Sequence, residues 1–172
     1  NAILNSPDSL IPTNLELDSW LHKMWEQSKE HKTWEYIDNL FLDSILSSLV
    51  YNTHSGCRSR ECEKKILTLN ADGTIGGCPN SAVDNTFGTI DDDILSLLYS
   101  EGRICNINTE ASRSHICNSC EVFDICNGDC HQLGWQGDIC AAPKSLMKAA
   151  KKDAITSKAL HLSMLNGFMG QE

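Results

Sequence analysis

Long apolar runs and excess positive charge are both missing from this sequence. No stretch of about eighteen apolar residues occurs, so we expect no membrane partner. The 14 Lys and Arg residues are outnumbered by 23 Asp and Glu residues, and the net charge of -9 argues against nucleic acid as a partner, because a phosphate backbone needs a basic face. The first residues also lack the basic and apolar regions of a secretory signal, which predicts a cytoplasmic protein.

Cysteine, in contrast, is abundant, with nine residues in a chain of 172. Disulfide frameworks are typical of short, secreted chains with an even number of cysteines, and this chain fits none of those conditions. Five of the nine fall in residues 117–140 with the spacing C-x2-C-x5-C-x3-C-x9-C. Crowding of thiols in an acidic chain indicates metal ligation.

Sites built from cysteine alone take four thiolates, so nine cysteines predict two such sites and one residue left over. Cys105 lies outside any cysteine-pair spacing, and we expect it to be a small buried apolar residue. Zinc and iron–sulfur clusters both accept four thiolates. The pairs Cys57-x4-Cys62 and Cys117-x2-Cys120 suit zinc, whereas the longer run that begins at Cys117 suits an iron–sulfur cluster.

The pattern of apolar residues predicts helices on both sides of the cysteine-rich part. One helix is expected from Leu15 with Asn14 as its cap, and a second in the later part of residues 33–51, whose first residues are compatible with a short strand. A third is predicted to run from Pro143 to about Leu165.

Within the cysteine-rich part, the sequence predicts a β-hairpin and a short helix. Residues 66–69 and 74–77 flank Asn-Ala-Asp-Gly, a turn sequence typical of hairpins. A helix is expected after the acidic residues 91–93, ending at Gly102. The predicted fold class is a small α+β domain, with one β-hairpin and cysteine-rich loops around two metal clusters, flanked by α-helices.

The order of cysteines and one glycine resembles a known family. Cys62-x10-Gly73-x4-Cys78 is followed by the C-x2-C-x5-C-x3-C run from Cys117 and then by Cys140. This order is similar to that of the SPASM domain, the auxiliary-cluster extension of radical S-adenosylmethionine enzymes that modify peptides and proteins, among them the anaerobic sulfatase-maturing enzymes. The resemblance covers residues 62–140.

The resemblance implies two auxiliary 4Fe–4S clusters, each with four cysteine ligands. The implied ligands of the first cluster are Cys57, Cys62, Cys78 and Cys130. Those of the second are Cys117, Cys120, Cys126 and Cys140. Some relatives leave the position of Cys57 open for substrate. The family role of these clusters is electron transfer or substrate docking beside the radical site.

Two departures from the family pattern limit what the chain does alone. The C-x3-C-x2-C motif that binds the S-adenosylmethionine-cleaving cluster is missing, so we expect that cofactor in an upstream radical domain, with a peptide or protein as substrate. Residues 1–56 are then a helical lead-in from that domain, 57–140 the two-cluster domain and 141–172 a C-terminal helix. Pro79 stands where sulfatase-maturing relatives carry Asp after the third cysteine, which favours another branch.

Two other interpretations remain open from the sequence. One is a zinc-bound structural or interaction module, and the other is a stand-alone iron–sulfur electron carrier. Zinc is also expected to replace iron in a fragment prepared in air. Under the zinc interpretation His54 and His115 are possible ligands, whereas His131 is not expected to ligate because cysteine already suffices.

The residues between the cysteines also carry predictions. Gly128, Gly134 and Gly137 are candidates for close approach of the backbone to a cluster, and Asn127 and Gln132 are candidate side-chain donors to its sulfur atoms. Trp135 is predicted to pack over the second cluster. Asp129 and Asp138 are predicted to be turn residues.

Overall fold

The structure is a computed structural model, and it describes residues 11–79, 86–155 and 158. The helices are α1 (Asn14–His31), α2 (Leu40–Tyr51), α3 (Cys62–Lys65), α4 (Ile94–Leu98), α5 (Glu101–Ala111), α6 (Phe123–Cys126) and α7 (Lys144–Lys152). The strands are β1 (Thr68–Leu69), β2 (Thr74–Gly76) and β3 (Gly88–Thr89). The chain is therefore a small α+β fold, as predicted.

None of the helices in these described ranges is both long enough and apolar enough to cross a membrane.

Helix α1 begins where the apolar pattern predicts, but its cap is Thr13. The Thr13 hydroxyl accepts a hydrogen bond from the Glu16 amide, and the Glu16 carboxylate accepts one from the Thr13 amide, which forms a capping box. Asn14, the predicted cap, is instead buried, and its Nδ2 atom donates to the carbonyl oxygens of Gly134 and Ile139 at 3.0 and 2.9 Å. The start of α1 is thereby tied to the loop that leads into Cys140.

Helix α2 is also confirmed, with Asn39 as its cap. The residues before it form a 3-10 turn, Thr33–Glu35, and not a strand. Helices α1 and α2 pack against α6 and α7 around one apolar core. Its buried side chains include Trp25, Leu42, Ile45, Leu46, Val122, Ile125, Leu146 and Met147. Helices α1 and α2 therefore bury their apolar faces against α6, within the cysteine-rich part, and against α7, which follows it.

The predicted hairpin is confirmed, with β1 and β2 antiparallel and Thr68 opposite Gly76. Gly73 has a φ of 83°, a conformation that favours glycine, and Asp72 Oδ1 accepts a hydrogen bond from the Thr74 amide. Strand β3 adds to the other edge of β2, and it was not predicted because a two-residue strand has no periodic pattern.

The region after the sheet departs from the sequence prediction. Helix α4 forms with Asp93 as its cap, but Gly102 lies inside the next helix, α5, and does not end α4. A side chain at Gly102 would overlap the backbone oxygen of Thr86, so the glycine allows α5 to approach the segment before β3. Cys105 is exposed on α5, so the expectation that it is buried is wrong. The helix turns Asn106 and Glu110 inward instead.

Helix α7 starts after Pro143, as predicted, and its regular part ends at Lys152. Residues 156, 157 and 159–165 of the predicted helix lie outside the described residues.

Candidate metal centre

Four cysteines from separate segments meet at the first group of thiols. Cys57 lies in the 3-10 turn Gly56–Ser59, Cys62 begins α3, Cys78 follows β2 and Cys130 follows α6. The Cys57 thiol is hydrogen-bonded to Cys130 and to Cys62, and Cys78 is near enough to act electrostatically on both Cys57 and Cys62. We call this set of four the first thiol group.

The other four thiols lie around a separate cavity. Cys117 interacts electrostatically with Cys120 and Cys140, and Cys126 interacts with the same two residues. All four line one cavity, whose wall also includes Ile116, Phe123, Leu133 and Trp135. We call this set the second thiol group. Cys130 touches the same cavity, so it lies between the two groups.

A zinc ion and a 4Fe–4S cluster differ in how far apart they hold four sulfur ligands. In the described part of the chain, no group of three or more His, Cys, Asp or Glu side chains is arranged to hold a metal ion. A zinc ion with sulfur ligands at about 2.3 Å would bring four sulfur atoms within about 3.8 Å of one another. A cluster of four irons binds each thiolate through a different iron, so it holds the sulfur atoms farther apart. Four thiolates serve a zinc ion and a 4Fe–4S cluster alike, so the donor set of each thiol group is compatible with either metal.

The surroundings of the thiols favour their protonated form in the absence of metal. Burial raises the pKa of Cys126 to about 12, and burial is also the main reason why the pKa values of Cys62 and Cys117 are raised. The pKa of Cys130 is raised first by the hydrogen bond of Cys130 to Cys57 and then by burial. The same hydrogen bond lowers the pKa of Cys57. Metal binding must therefore displace protons from most of these residues.

Two buried carboxylates hold the backbone of the first thiol group. Glu110 on α5 accepts hydrogen bonds from the amides of Cys62 and Glu63, at 2.8 and 3.1 Å. Glu63 on α3 in turn accepts one from the amide of Cys78 at 3.3 Å. Both carboxylates are almost fully buried. They fix the positions of two cysteines without belonging to the thiol group.

His131 joins this network instead of the thiols. Its Nε2 atom lies 3.0 Å from Oε1 of Glu63 and 2.9 Å from Nε2 of Gln132. Its Nδ1 atom lies 4.0 Å from Oε1 of Glu110. Glu63 and Glu110 were not predicted, because a single Glu beside a cysteine or in an unrecognised helix has no spacing that marks it.

Three arginines meet at Asn127, between the two thiol groups. The Nε atoms of Arg60 and Arg113 both donate to the carbonyl oxygen of Asn127, at 2.9 and 3.2 Å. The Asn127 side chain, a candidate donor to sulfur, donates to the carbonyl oxygen of Arg58 at 2.7 Å. Arg58 is itself buried and lies 3.9 Å from the carboxylate of Asp129.

The glycines differ in what surrounds them. Gly128 has a φ of 85°, and a side chain there would overlap Arg113, so this position requires glycine. Gly137 also has a positive φ, but neither Gly134 nor Gly137 has a described heavy atom within 4 Å of an added Cβ. Close approach by the surrounding chain is thus found at Gly128 alone among the three.

The histidines that the zinc interpretation offered lie apart from these contacts. Nε2 of His54 lies 2.9 Å from the carbonyl oxygen of Asp124, and His115 is exposed in the 3-10 turn His115–Ser119. Trp135 lines the cavity of the second thiol group with 37% of its surface exposed.

A second, larger cavity opens beside the first thiol group. It has a volume of about 530 Å³, and both Cys57 and Cys130 line it. Apolar side chains from the start of α2, Leu40 and Phe41, form another part of its wall together with Leu133. Exposed Cys57 thus faces a space large enough for a side chain of another molecule.

Comparison of the chain with family models, with curated proteins and with solved structures gave no match.

Proposed function

We propose that this chain is the auxiliary-cluster domain of a radical S-adenosylmethionine enzyme that modifies a peptide or protein. One observation carries the proposal: the fold gathers eight of the nine cysteines into two groups of four. These groups agree with the ligand sets that the resemblance implies, and we propose Cys130, which also lines the second cavity, as a ligand of the first group. From its position in the sequence alone, Cys130 would be expected to ligate together with its neighbour Cys126.

The chemistry of the donors supports two 4Fe–4S clusters as cofactors. Four thiolates complete such a cluster, which carries one electron at a time. Apolar side chains, among them Phe123 and Trp135, form part of the wall around the second thiol group. The Glu63 and Glu110 carboxylates hold the amides beside the first group. The eight cysteines would bind the two clusters. The surrounding side chains would orient these cysteines and control the access of solvent to the clusters.

In the complete enzyme, the upstream radical domain supplies S-adenosylmethionine chemistry, and the peptide is the electron donor. The first thiol group would hold a cluster able to accept one electron from the peptide as it is oxidised, and the second thiol group would hold a cluster able to accept that electron from the first. The cavity beside Cys57 and Cys130 supports substrate docking at the first site. We place this reaction in the cytoplasm, where iron–sulfur thiolates stay reduced.

The partition of ligands is tested by iron content together with the electron paramagnetic resonance signal of the cluster that each variant retains. Chains prepared without oxygen should hold about eight irons, since each cluster contains four. Cys78→Ser and Cys130→Ser should each remove the first cluster alone, whereas Cys126→Ser and Cys140→Ser should remove the second. Cys105→Ser is the matched control and should change nothing. Loss of the second cluster in Cys130→Ser, with the first retained, would contradict the partition.

The role in turnover is tested in the full enzyme. Cys126→Ser or Cys140→Ser should abolish modification of the peptide while the cluster that cleaves S-adenosylmethionine stays intact. Unchanged turnover in these variants, after the loss of iron is verified, would show that the second site does not carry the electron.

A further inference from the structure

Two arginine side chains lie against the wall of the second cavity. Arg113 packs on Gly128, where an added side chain would overlap it, and Gly128 lines the cavity. The Arg60 guanidinium lies 5.6 Å from the centre of the Phe123 ring, and Phe123 lines the same cavity. Segments far apart in the sequence thus place two positive charges beside the second thiol group.

The hydrogen bonding of these two guanidinium groups is incomplete. Both donate through Nε to Asn127, and Arg113 also donates through Nη1 to backbone oxygens of Glu110 and Ser112. The Nη2 atoms of Arg60 and Arg113 are buried and have no hydrogen-bond partner among the described residues. A buried donor without a partner is costly, so a group that accepts hydrogen bonds is expected nearby.

The two charges act on the thiols of the second group. Burial raises the pKa of Cys117, and the charges of Arg113 and Arg60 oppose that effect. Arg113 also interacts electrostatically with Cys126. Glu110 and Asp129 place negative charge beside Cys62 and Cys57 of the first thiol group, and Asp129 also acts on Cys126 of the second group. Arg60 and Arg113 therefore supply positive charge to the second group, where it opposes the charge of Asp129.

We propose that Arg60 and Arg113 are positioning residues that raise the reduction potential of the cluster bound by the second thiol group. A reduced cluster carries one more negative charge, which guanidinium groups stabilise through charge and through hydrogen bonds to sulfur. The inference rests on the proposed function. The two arginines would favour transfer of one electron from a reduced cluster at the first group to an oxidised cluster at the second, without transfer of a proton and without a change in covalent bonds.

The test is a redox titration of the iron-loaded chain, followed by electron paramagnetic resonance. Signals are assigned with Cys78→Ser, which retains only the second cluster, and Cys126→Ser, which retains only the first. We expect Arg60→Gln and Arg113→Gln each to lower the reduction potential of the second cluster. The equilibrium constant of reduction should change at least tenfold, which is equivalent to 59 mV for one electron. The potential of the first cluster should not change.

Conservative substitutions and a distant control substitution separate the effect of charge on the potential from effects on the structure. Arg60→Lys and Arg113→Lys keep the charge and should retain most of the potential. Lys32→Gln removes an exposed charge outside both groups and should shift neither potential. Because Arg113 also bonds to the backbone of α5, Arg60→Gln provides an independent measurement if Arg113→Gln fails to fold.

The possible results distinguish a failure of the proposed function from a failure of the proposal about Arg60 and Arg113. A chain that takes up no iron overturns the proposed function and this inference with it. A chain that loads both clusters, but whose second potential is the same in Arg60→Gln, Arg113→Gln and the unchanged protein, overturns the inference alone.

Discussion

Nε2 of His131 lies 3.0 Å from Oε1 of Glu63, and 5% and 0% of the two side chains are exposed. Glu63 lies in α3, beside Cys62, and His131 follows Cys130. The contact therefore joins two segments that each supply a cysteine to the first thiol group. Buried polar contacts of this kind fix one arrangement of the backbone, because a displaced partner leaves a desolvated charge behind.

Removal of the Glu63 side chain is expected to destabilise the fold strongly. Glu63→Ala removes the acceptor of the Cys78 amide and the buried contact with the His131 ring. Loss of one partner from a buried pair lowers the free energy of unfolding by about 3–5 kcal/mol, to be measured by urea denaturation. Glu61→Ala, which breaks an exposed ion pair with Lys65, is the control and should have no measurable effect. Equal effects of the two substitutions would show that the buried network does not support the fold.

Gly77 next to the first thiol group is predicted to tolerate no side chain. A Cβ at this position would overlap the carboxylate of Glu63 and lie 2.8 Å from the ring of Phe87. Gly77→Ala should lower the free energy of unfolding by about 1–3 kcal/mol, because the surrounding groups must move. Gly134→Ala, where no described heavy atom lies within 4 Å, should be within about 0.5 kcal/mol of the unchanged protein. Thermal unfolding of both variants compares them, and equal melting temperatures would contradict the packing around Gly77.

The thiols of the metal-free chain are expected to differ in reactivity. Cys57 is exposed and its hydrogen bond to Cys130 lowers its pKa, whereas Cys126 is buried with a pKa raised to about 12. The thiolate is the nucleophile, so iodoacetamide at neutral pH should modify Cys57 well before Cys126. Peptide mass spectrometry over time gives the order. Modification of Cys126 at the rate of Cys57 would show that the second group is open to solvent in the metal-free chain.

The cap of α4 predicts a pH dependence. Hydrogen bonds from Ser96, and then from the amide of Leu95, lower the pKa of Asp93 below its ordinary value of 3.8. The contribution of Asp93 to stability is then fully present above its unfolded pKa and is lost as the pH falls through its lower folded pKa. The difference in melting temperature between Asp93→Ala and the unchanged protein should therefore shrink below about pH 4. A difference that stays constant to pH 2 would contradict the ionised cap.

Local patterns predicted the regular elements well. The apolar spacing in α1 and α2 and the Asn-Ala-Asp-Gly turn depend on neighbours within a few residues, and the structure confirms all three. Helix α5 was missed because its sequence, with Gly102 near its start, has only a weak apolar face; its buried residues, Asn106 and Glu110, are polar.

Only those residues of the site that follow a recognisable spacing in the sequence could be predicted. The resemblance supplied the two sets of cysteines, while the roles of Glu63, Glu110, Arg60 and Arg113 depend on contacts between distant segments. The cap of α1 shows the same limit: Asn14 has the right chemistry, but it is buried and bonded to residues 120 and 125 positions away, and Thr13 takes its place. Such bonds have no signature in a local window of sequence.

Iron and acid-labile sulfide, counted together with zinc in the chain purified without oxygen, test the central claim most directly. Two 4Fe–4S clusters predict about eight irons and about eight sulfides per chain, with a brown colour that fades on reduction. About two zinc ions per chain and no sulfide, in protein never exposed to air, would contradict the account and identify the chain as a zinc-bound module.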